Sequence, residues 1–133
     1  PNRWQVKNFV DVLGQIHQEY GYTIFLTWGP NEADLGREFL DLFKFPVISG
    51  VESNIKHFAA ILSMAKLLVC NDTGVMHVGA AAGTPLVSIF GPTDPVQWKP
   101  VGENFIAVRA DDHQCHSVNT EQVYAAVCGL LEQ

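Results

Sequence analysis

The chain has 133 residues, of which 47% are apolar and 17% charged, enough material for a single globular core. The net charge of −6 argues against a nucleic-acid-binding surface, because neutralising phosphates requires clustered basic residues and the eight lysines and arginines here are scattered. No apolar run approaches the roughly 20 residues of a membrane span, and no signal peptide is visible.

The first half of the chain predicts alternating helices and short strands. Apolar residues at helical spacing, closed by Gly21, predict the first helix, and Asn31 is predicted to cap the second. A polar loop over 49–53 follows the second strand. The predicted elements are, in order, helix Gln5–Tyr20, strand Tyr22–Thr27, helix Glu32–Phe43 and strand Phe45–Ile48.

The second half continues this alternation. Short apolar runs predict buried strands, and Asn119 is predicted to cap the last helix. The predicted elements are a helix from Ser53 or Asn54 to Ala65, strand Leu67–Cys70, helix Val75–Ala82, strand Leu86–Phe90, strand Phe105–Val108 and helix Thr120–Leu131. The order predicts an α/β domain in which all five strands form one parallel sheet with helices on both faces.

The three cysteines lie in unrelated contexts. Cys70 at the end of a strand and Cys128 in the last helix are predicted to be reduced core thiols. Cys115 lies between His113 and His116, but this spacing lacks the second ligand pair of a structural zinc site. The sequence therefore predicts no metal site.

The turn Asn71-Asp72-Thr73-Gly74 is the strongest candidate for a binding site. It joins a strand to a helix, and the unpaired N–H groups of a helix start favour an anion. Gly74 lets a phosphate approach the backbone without a Cβ in the way. Asp72 could contact sugar hydroxyls or simply cap the helix, and His77 could donate to an oxygen of the ligand or simply pack.

Two further loops are predicted to follow strand ends, where ligands bind in open α/β sheets. One runs from Trp28 to Asn31. The other, Gly91–Pro100, contains three prolines, which restrict its shape. Thr93 and Asp94 in this second loop could contact a ligand, or could form only local hydrogen bonds in a surface turn.

Three linked motifs resemble glycosyltransferase family 9, the lipopolysaccharide heptosyltransferases. They are Asp72-Thr73-Gly74-x-Met76-His77, then Ala80-Ala81-Ala82-Gly83-Thr84-Pro85, then Phe90-Gly91-Pro92-Thr93-Asp94-Pro95. A weaker likeness extends from Trp4 to Leu131. The family's Lys-x-Trp motif is matched at Trp4, but Asn2 stands where the lysine is expected, with Arg3 beside it.

The resemblance implies a GT-B architecture, in which two Rossmann-like domains face each other across a cleft. Residues 1–133 resemble the carboxyl-terminal, donor-binding domain, whose central first strand is absent from this chain. Either Asn31 or Glu32 would reach the ribose of the donor. The implied donor-binding residues are Arg3, Asn31, Glu32, Asp72, Thr73, Gly74, Met76, His77, Thr93 and Asp94.

The implied reaction is an inverting transfer of heptose from ADP-heptose to the lipopolysaccharide inner core, without metal or cofactor. The acceptor and the catalytic base would lie in the amino-terminal domain, so this chain alone is expected to be inactive. The resemblance implies a cytoplasmic protein, or one peripheral at the inner face of the inner membrane. Two alternatives stay open: a non-catalytic module that binds a nucleotide or phosphate, and a nucleotide-sugar epimerase of the same fold.

Overall fold

The computed structural model describes residues 4–28, 32–51, 55–71, 74–91, 105–112 and 114–132. Helices and short strands alternate along them, as the sequence predicts. The elements are α1 Val6–Tyr20, β1 Ile24–Trp28, α2 Ala33–Leu42, β2 Val47–Val51, α3 Ile55–Met64, β3 Leu68–Asn71, α4 Gly74–Ala81, β4 Leu86–Phe90, β5 Phe105–Arg109, a 3-10 turn Cys115–Ser117 and α5 Thr120–Leu131.

All strand pairs are parallel, but they form two separate hydrogen-bonded groups. β1 pairs with β2, with Ile24 opposite Val47, while β4 lies between β3 and β5. The central strand β4 is buried along its whole length. A strand with helices on both faces reads as a continuous apolar run, and Leu86–Phe90 has this character apart from Ser88.

Side chains alternate across β4, and each face has its own core. Val87 and Ile89 face a cluster formed with α1 and α5, in which Val12, Val123 and Val127 are fully buried. On the opposite face, Leu86 and Phe90 pack against Met76 of α4. The fold is thus an α/β, Rossmann-like arrangement with helices on both faces of the β3–β4–β5 sheet.

Helix α1 connects the two strand groups. Its residues Val12 and Ile16 belong to the core under α5, whereas Val10 and Leu13 pack against Ile24 of β1 and its neighbours. One helix therefore covers parts of both groups. The aromatic ring of Phe9 packs against both clusters.

The prediction of a single five-stranded sheet is wrong, because β1 and β3 are not hydrogen-bonded to each other. In doubly wound sheets the strand that leads into the first helix lies between these two strands. The described residues contain no strand before α1. The two groups therefore remain apart beneath α1.

Most predicted helix ends are confirmed, whereas the first two strands are displaced toward the carboxyl terminus. Gly21 closes α1 in the left-handed conformation, with φ of 72°, and Asn119 caps α5 through a capping box with Gln122. β2 begins after Pro46, which has no N–H to donate, and ends at Val51, three residues into the segment 49–53 that was predicted as a loop. The N-cap of α2 is Glu32, and the predicted cap Asn31 lies outside the described residues.

Candidate functional site

The candidate site lies at the edge of the fold where β3 ends and α4 begins. Helix α1 starts beside this edge, because the backbone N–H of Trp4 donates to Asn71 Oδ1 at 2.8 Å. β1 begins four residues after α1 ends, so the chain turns back and β1 leads toward the edge at which β3 ends. The carboxyl end of β1 at Trp28 and the start of α2 consequently belong to the same edge as the start of α4.

The start of α4 provides the main element for binding an anion. Gly74 is its first residue and lies three positions after Asn71, the last residue of β3. The first N–H groups of a helix lack intrahelical partners and carry the positive end of the helix dipole. The first turn of α4 contains no acidic residue that would neutralise this end. Asp72 and Thr73, which complete the predicted motif, lie outside the described residues.

Two other members of the motif have opposite environments in α4. His77 is exposed one turn into the helix and is accessible to a ligand. Met76 is fully buried and packs against Leu86 and Phe90. The side-chain contact with a donor that the resemblance implies for Met76 is therefore not available in this conformation, because its side chain fills the core beneath the helix.

The start of α2 is a second candidate element at this edge. Glu32 is half-buried at the N-cap position, and its carbonyl accepts from the N–H groups of Leu35 and Gly36. The indole of Trp28 lies against Gly36 so closely that a Cβ there would come within 2.5 Å of the ring. The Nε1 of Trp28 is buried and has no hydrogen-bond partner among the described residues. The structure thus places Glu32 at the edge beside a tightly packed tryptophan.

A side chain at the end of β5 is hydrogen-bonded to Gly91, the first residue of the proline-rich loop. Arg109, the last residue of β5, lies opposite Phe90, and its Nε donates to the carbonyl of Gly91 at 3.0 Å. Gly91 is buried. Thr93 and Asp94, as well as Arg3 at the start of the chain, lie outside the described residues. Arg109 therefore fixes the point at which the chain leaves β4.

A cluster of titratable groups lies away from this edge, where α1 and α5 end. The hydroxyl of Tyr20 donates to Glu132 at 2.9 Å. Interaction with Cys128, followed by that with Glu132, raises the pKa of Tyr20 well above its usual 10.0. Burial, followed by interaction with Cys128, raises the pKa of Tyr124 to about 12. These groups stabilise the helix pair and are not part of the candidate site.

Neither a metal cluster nor a spanning helix is found among the described residues. No three side chains of the kinds that ligate metals come together in residues 4–28, 32–51, 55–71, 74–91, 105–112 and 114–132. Cys115 is buried in the core, and His113 lies outside these ranges. Within the same part of the chain, every helix is too short or too polar to cross a bilayer.

Sequence reasoning missed two residues that shape this edge. Asn71 was interpreted as part of a turn, but it ends β3 and accepts a hydrogen bond from a residue 67 positions away. The predicted fifth strand stops at Val108, but β5 ends at Arg109, whose Nε donates to the carbonyl of Gly91. Neither contact has a local sequence signal, since each joins segments that only the fold brings together.

Comparison with known proteins gives a consistent result. Residues 2–127 match the family model described as glycosyltransferase family 9 (heptosyltransferase). Lipopolysaccharide heptosyltransferase 3 of Escherichia coli K12 is 30% identical over 132 residues, which cover 93% of this chain and 38% of that protein. The chain therefore spans well under half the length of this curated relative.

Solved structures show the same fold. A family 9 glycosyltransferase from Veillonella parvula superposes with a TM-score of 0.90 at 23% identity, covering 98% of this chain and 42% of that one. The E. coli heptosyltransferase WaaC with ADP superposes with a TM-score of 0.86 at 25% identity, covering 97% of this chain and 40% of that one.

Proposed function

Because the chain belongs to glycosyltransferase family 9, we propose that it is the donor-binding part of a longer enzyme that transfers a sugar from a nucleotide sugar. The observation that carries the proposal is the start of α4, which follows β3 directly within the family's motif. The donor proposed is ADP-heptose, and the acceptor is the lipopolysaccharide inner core. The relatives named as lipopolysaccharide heptosyltransferases and the structure with ADP support this choice.

The pyrophosphate of the donor binds at the start of α4 in this proposal. The chain carries a net charge of −6, so a diphosphate needs local positive potential to overcome the overall repulsion. The N–H groups of Thr73, Gly74 and Val75 would supply it, together with the helix dipole. His77, exposed one turn later, would donate to a phosphate oxygen. Asp72 would accept from hydroxyls of the sugar.

The nucleoside would lie toward the start of α2. Asn31 and Glu32 are the candidates for the ribose hydroxyls, and a carboxylate at the start of a helix after a strand suits that task. Thr93 and Asp94 would contact the donor from the loop that Gly91 begins. Arg3 would supply a cation near the phosphates in place of the lysine expected at position 2.

The proposed reaction is an inverting displacement at the anomeric carbon. The bond from that carbon to the donor's β-phosphate oxygen breaks as the acceptor oxygen attacks from the opposite face. Negative charge then develops on the leaving nucleoside diphosphate, and preorganised N–H groups at the start of α4 stabilise it. Neither metal nor cofactor has a role in this scheme. The acceptor site and the base belong to the rest of the longer enzyme.

Calorimetric titration with ADP, UDP and ADP-heptose tests the proposal. We expect ADP to bind more tightly than UDP, and Asp72→Asn to weaken ADP-heptose binding about tenfold while leaving ADP almost unchanged. A tenfold change is about 1.4 kcal/mol, close to the lower end of the roughly 1.5–3 kcal/mol of a hydrogen bond to a charged group. If the wild type and Asp72→Asn each bind ADP and ADP-heptose equally, the result would instead favour a nucleotide-binding module. Absence of binding to any of them would contradict the proposal.

A further inference from the structure

We propose that Asn71 is a positioning residue for the turn that binds the pyrophosphate, and that the backbone N–H of Trp4 holds it in place. The inference rests on the proposed function and adds to it a residue that never touches the donor. It concerns how the start of α4 is held in position, rather than which groups contact the ligand.

The contact joins two distant parts of the chain at a sensitive point. The N–H of Trp4 donates to Asn71 Oδ1 at 2.8 Å, partly shielded from solvent. Asn71 ends β3, and Gly74 begins α4 only three residues later. The position of Asn71 therefore limits where the first N–H groups of α4 can lie, since only two residues separate it from Gly74.

The donor of this hydrogen bond is held rigidly by the core. Trp4 is only 2% exposed, and its Nε1 donates to the carbonyl of Val118 at 2.8 Å in a buried position. Its ring meets Phe9 edge-on, with centroids 5.0 Å apart and planes at 82°. The backbone N–H of Trp4 is consequently a preorganised donor, which costs little ordering entropy when it binds Asn71.

Among the described residues, β3 has one hydrogen-bonded neighbour, β4, with Asn71 opposite Ile89. The hydrogen bond from Trp4 gives the end of β3 a second anchor, independent of β4.

The consequence for binding follows from the geometry of hydrogen bonds to anions. Charge-assisted N–H···O bonds are short and weaken steeply as the angle departs from linear. Releasing Asn71 would misalign the first N–H groups of α4 without removing any of them. Affinity for the pyrophosphate would fall, whereas contacts to the base and ribose near α2 would be kept.

The test compares Asn71→Ala with the matched variant Asn119→Ala in the full chain. Asn119 Oδ1 accepts from the N–H of Gln122, also at 2.8 Å, but caps α5. Each variant loses one hydrogen bond from a backbone N–H to an asparagine Oδ1. We expect Asn71→Ala to bind ADP about 3–10-fold more weakly with adenosine binding unchanged. Asn119→Ala should lower the melting temperature and leave both affinities unchanged.

A second variant, Asn71→Asp, distinguishes the effect of positioning on ADP affinity from the effect of charge. The aspartate keeps an acceptor for the N–H of Trp4 but adds a negative charge near the pyrophosphate. We expect its ADP affinity relative to wild type to recover between 0.05 and 0.5 M salt, because salt screens exposed charges over about 4–14 Å in that range. The deficit of Asn71→Ala should not change with salt, since no charge is altered.

Amide hydrogen exchange of the ligand-free chain gives a readout that does not depend on ADP. Asn71→Ala should speed exchange at the end of β3 and the start of α4, and Asn119→Ala should not. If wild type fails to bind ADP, the proposed function is wrong, yet the exchange result still decides whether Asn71 orders the turn. Unchanged exchange in Asn71→Ala, or equal losses of ADP and adenosine binding, would overturn the inference.

Discussion

Thr84 and Ser88 are both buried, but they differ in whether the hydroxyl has a partner. Thr84 Oγ1 donates to the carbonyl of Leu62, whereas Ser88 Oγ has no hydrogen-bond partner within the part of the chain that the structure describes. The carbonyl of Leu62 also accepts from the N–H of Ala65 at 3.0 Å, so it keeps one hydrogen bond when Thr84 is replaced. The two side chains therefore affect stability in opposite directions.

We predict that Thr84→Val lowers the free energy of unfolding by about 1 kcal/mol. This is the usual contribution of a hydrogen bond whose loss leaves no buried group unpaired. Ser88→Ala should raise it by up to about 1 kcal/mol, because an unpaired buried hydroxyl is removed. Urea denaturation of both variants checks this pair. A Ser88→Ala variant that loses as much stability as Thr84→Val would show that Ser88 has a partner in solution.

Tyr20 and Tyr124 predict a loss of stability at high pH. Both have pKa values above the ordinary 10.0 in the folded chain. The folded state therefore holds these protons more tightly than the unfolded state, and this contribution is complete below pH 10. It is lost as the pH rises from 10 through the folded-state pKa, about 12 for Tyr124.

The measurement is the free energy of unfolding between pH 8 and 12. We expect a decline above pH 10 that is shallower in the double variant Tyr20→Phe, Tyr124→Phe. Tyr22→Phe serves as the control, because it leaves both of these groups in place. An unchanged slope in the double variant would assign the alkaline decline to other groups.

At the scale of elements, two helical glycines have contrasting surroundings. In α2, a Cβ on Gly36 would lie 2.5 Å from atoms of the Trp28 indole. In α5, a Cβ on Gly129 would meet nothing within 4 Å. Alanine is favoured over glycine inside a helix by about 1 kcal/mol, so the space around each position decides the outcome.

We predict that Gly129→Ala stabilises the chain by about 1 kcal/mol and that Gly36→Ala destabilises it by about 1–2 kcal/mol, since overpacking outweighs the helical preference. Thermal unfolding measures both effects. Tryptophan fluorescence should change only in Gly36→Ala, because Trp28 must move away from the helix. Stabilisation by both substitutions would mean that the indole does not pack on α2 as described.

The elements with local signals were predictable, and those that depend on distant partners were not. The side chain of Asn119 favours a helix start, and the tolerance of Gly21 for a left-handed conformation favours a helix end. Both predictions are confirmed. The extension of β2 to Val51 depends on pairing with Trp28 of β1, which no local pattern reveals. The split of the sheet likewise depends on what lies between β1 and β3, so alternation alone could not predict it.

For the candidate site, the sequence motif predicts a binding edge where β3 ends and α4 begins, and the binding roles of its residues stay predictions. Helix α4 begins at Gly74, one residue before the predicted Val75, and the fully buried Met76 shows that a motif residue can serve packing. Burial depends on which side chains face β4, which a motif does not encode. The roles of Asp72 and Thr93 remain predictions.

At the scale of the whole molecule, we predict that this chain alone transfers no sugar. The chain covers only 38% of a curated relative's length. Holding two reactants together can supply roughly 7–11 kcal/mol of a barrier, and the proposal assigns the acceptor and base to other residues. Transfer of labelled heptose from ADP-heptose to a lipopolysaccharide core acceptor measures this. Rates comparable with a complete heptosyltransferase would require a base within these 133 residues, and His77 would be examined first.

The contacts of Trp4 have a consequence for synthesis on the ribosome. Trp4 leaves the exit tunnel well before its partners Asn71 and Val118, which follow 67 and 114 positions later. At 5–20 residues per second, Val118 is made roughly 6–23 s after Trp4. During that interval, the indole of Trp4 therefore lacks the residues against which it packs in the folded chain. We expect chaperones that hold apolar segments to engage α1 until α5 is complete, so that closure of this core awaits the last helix.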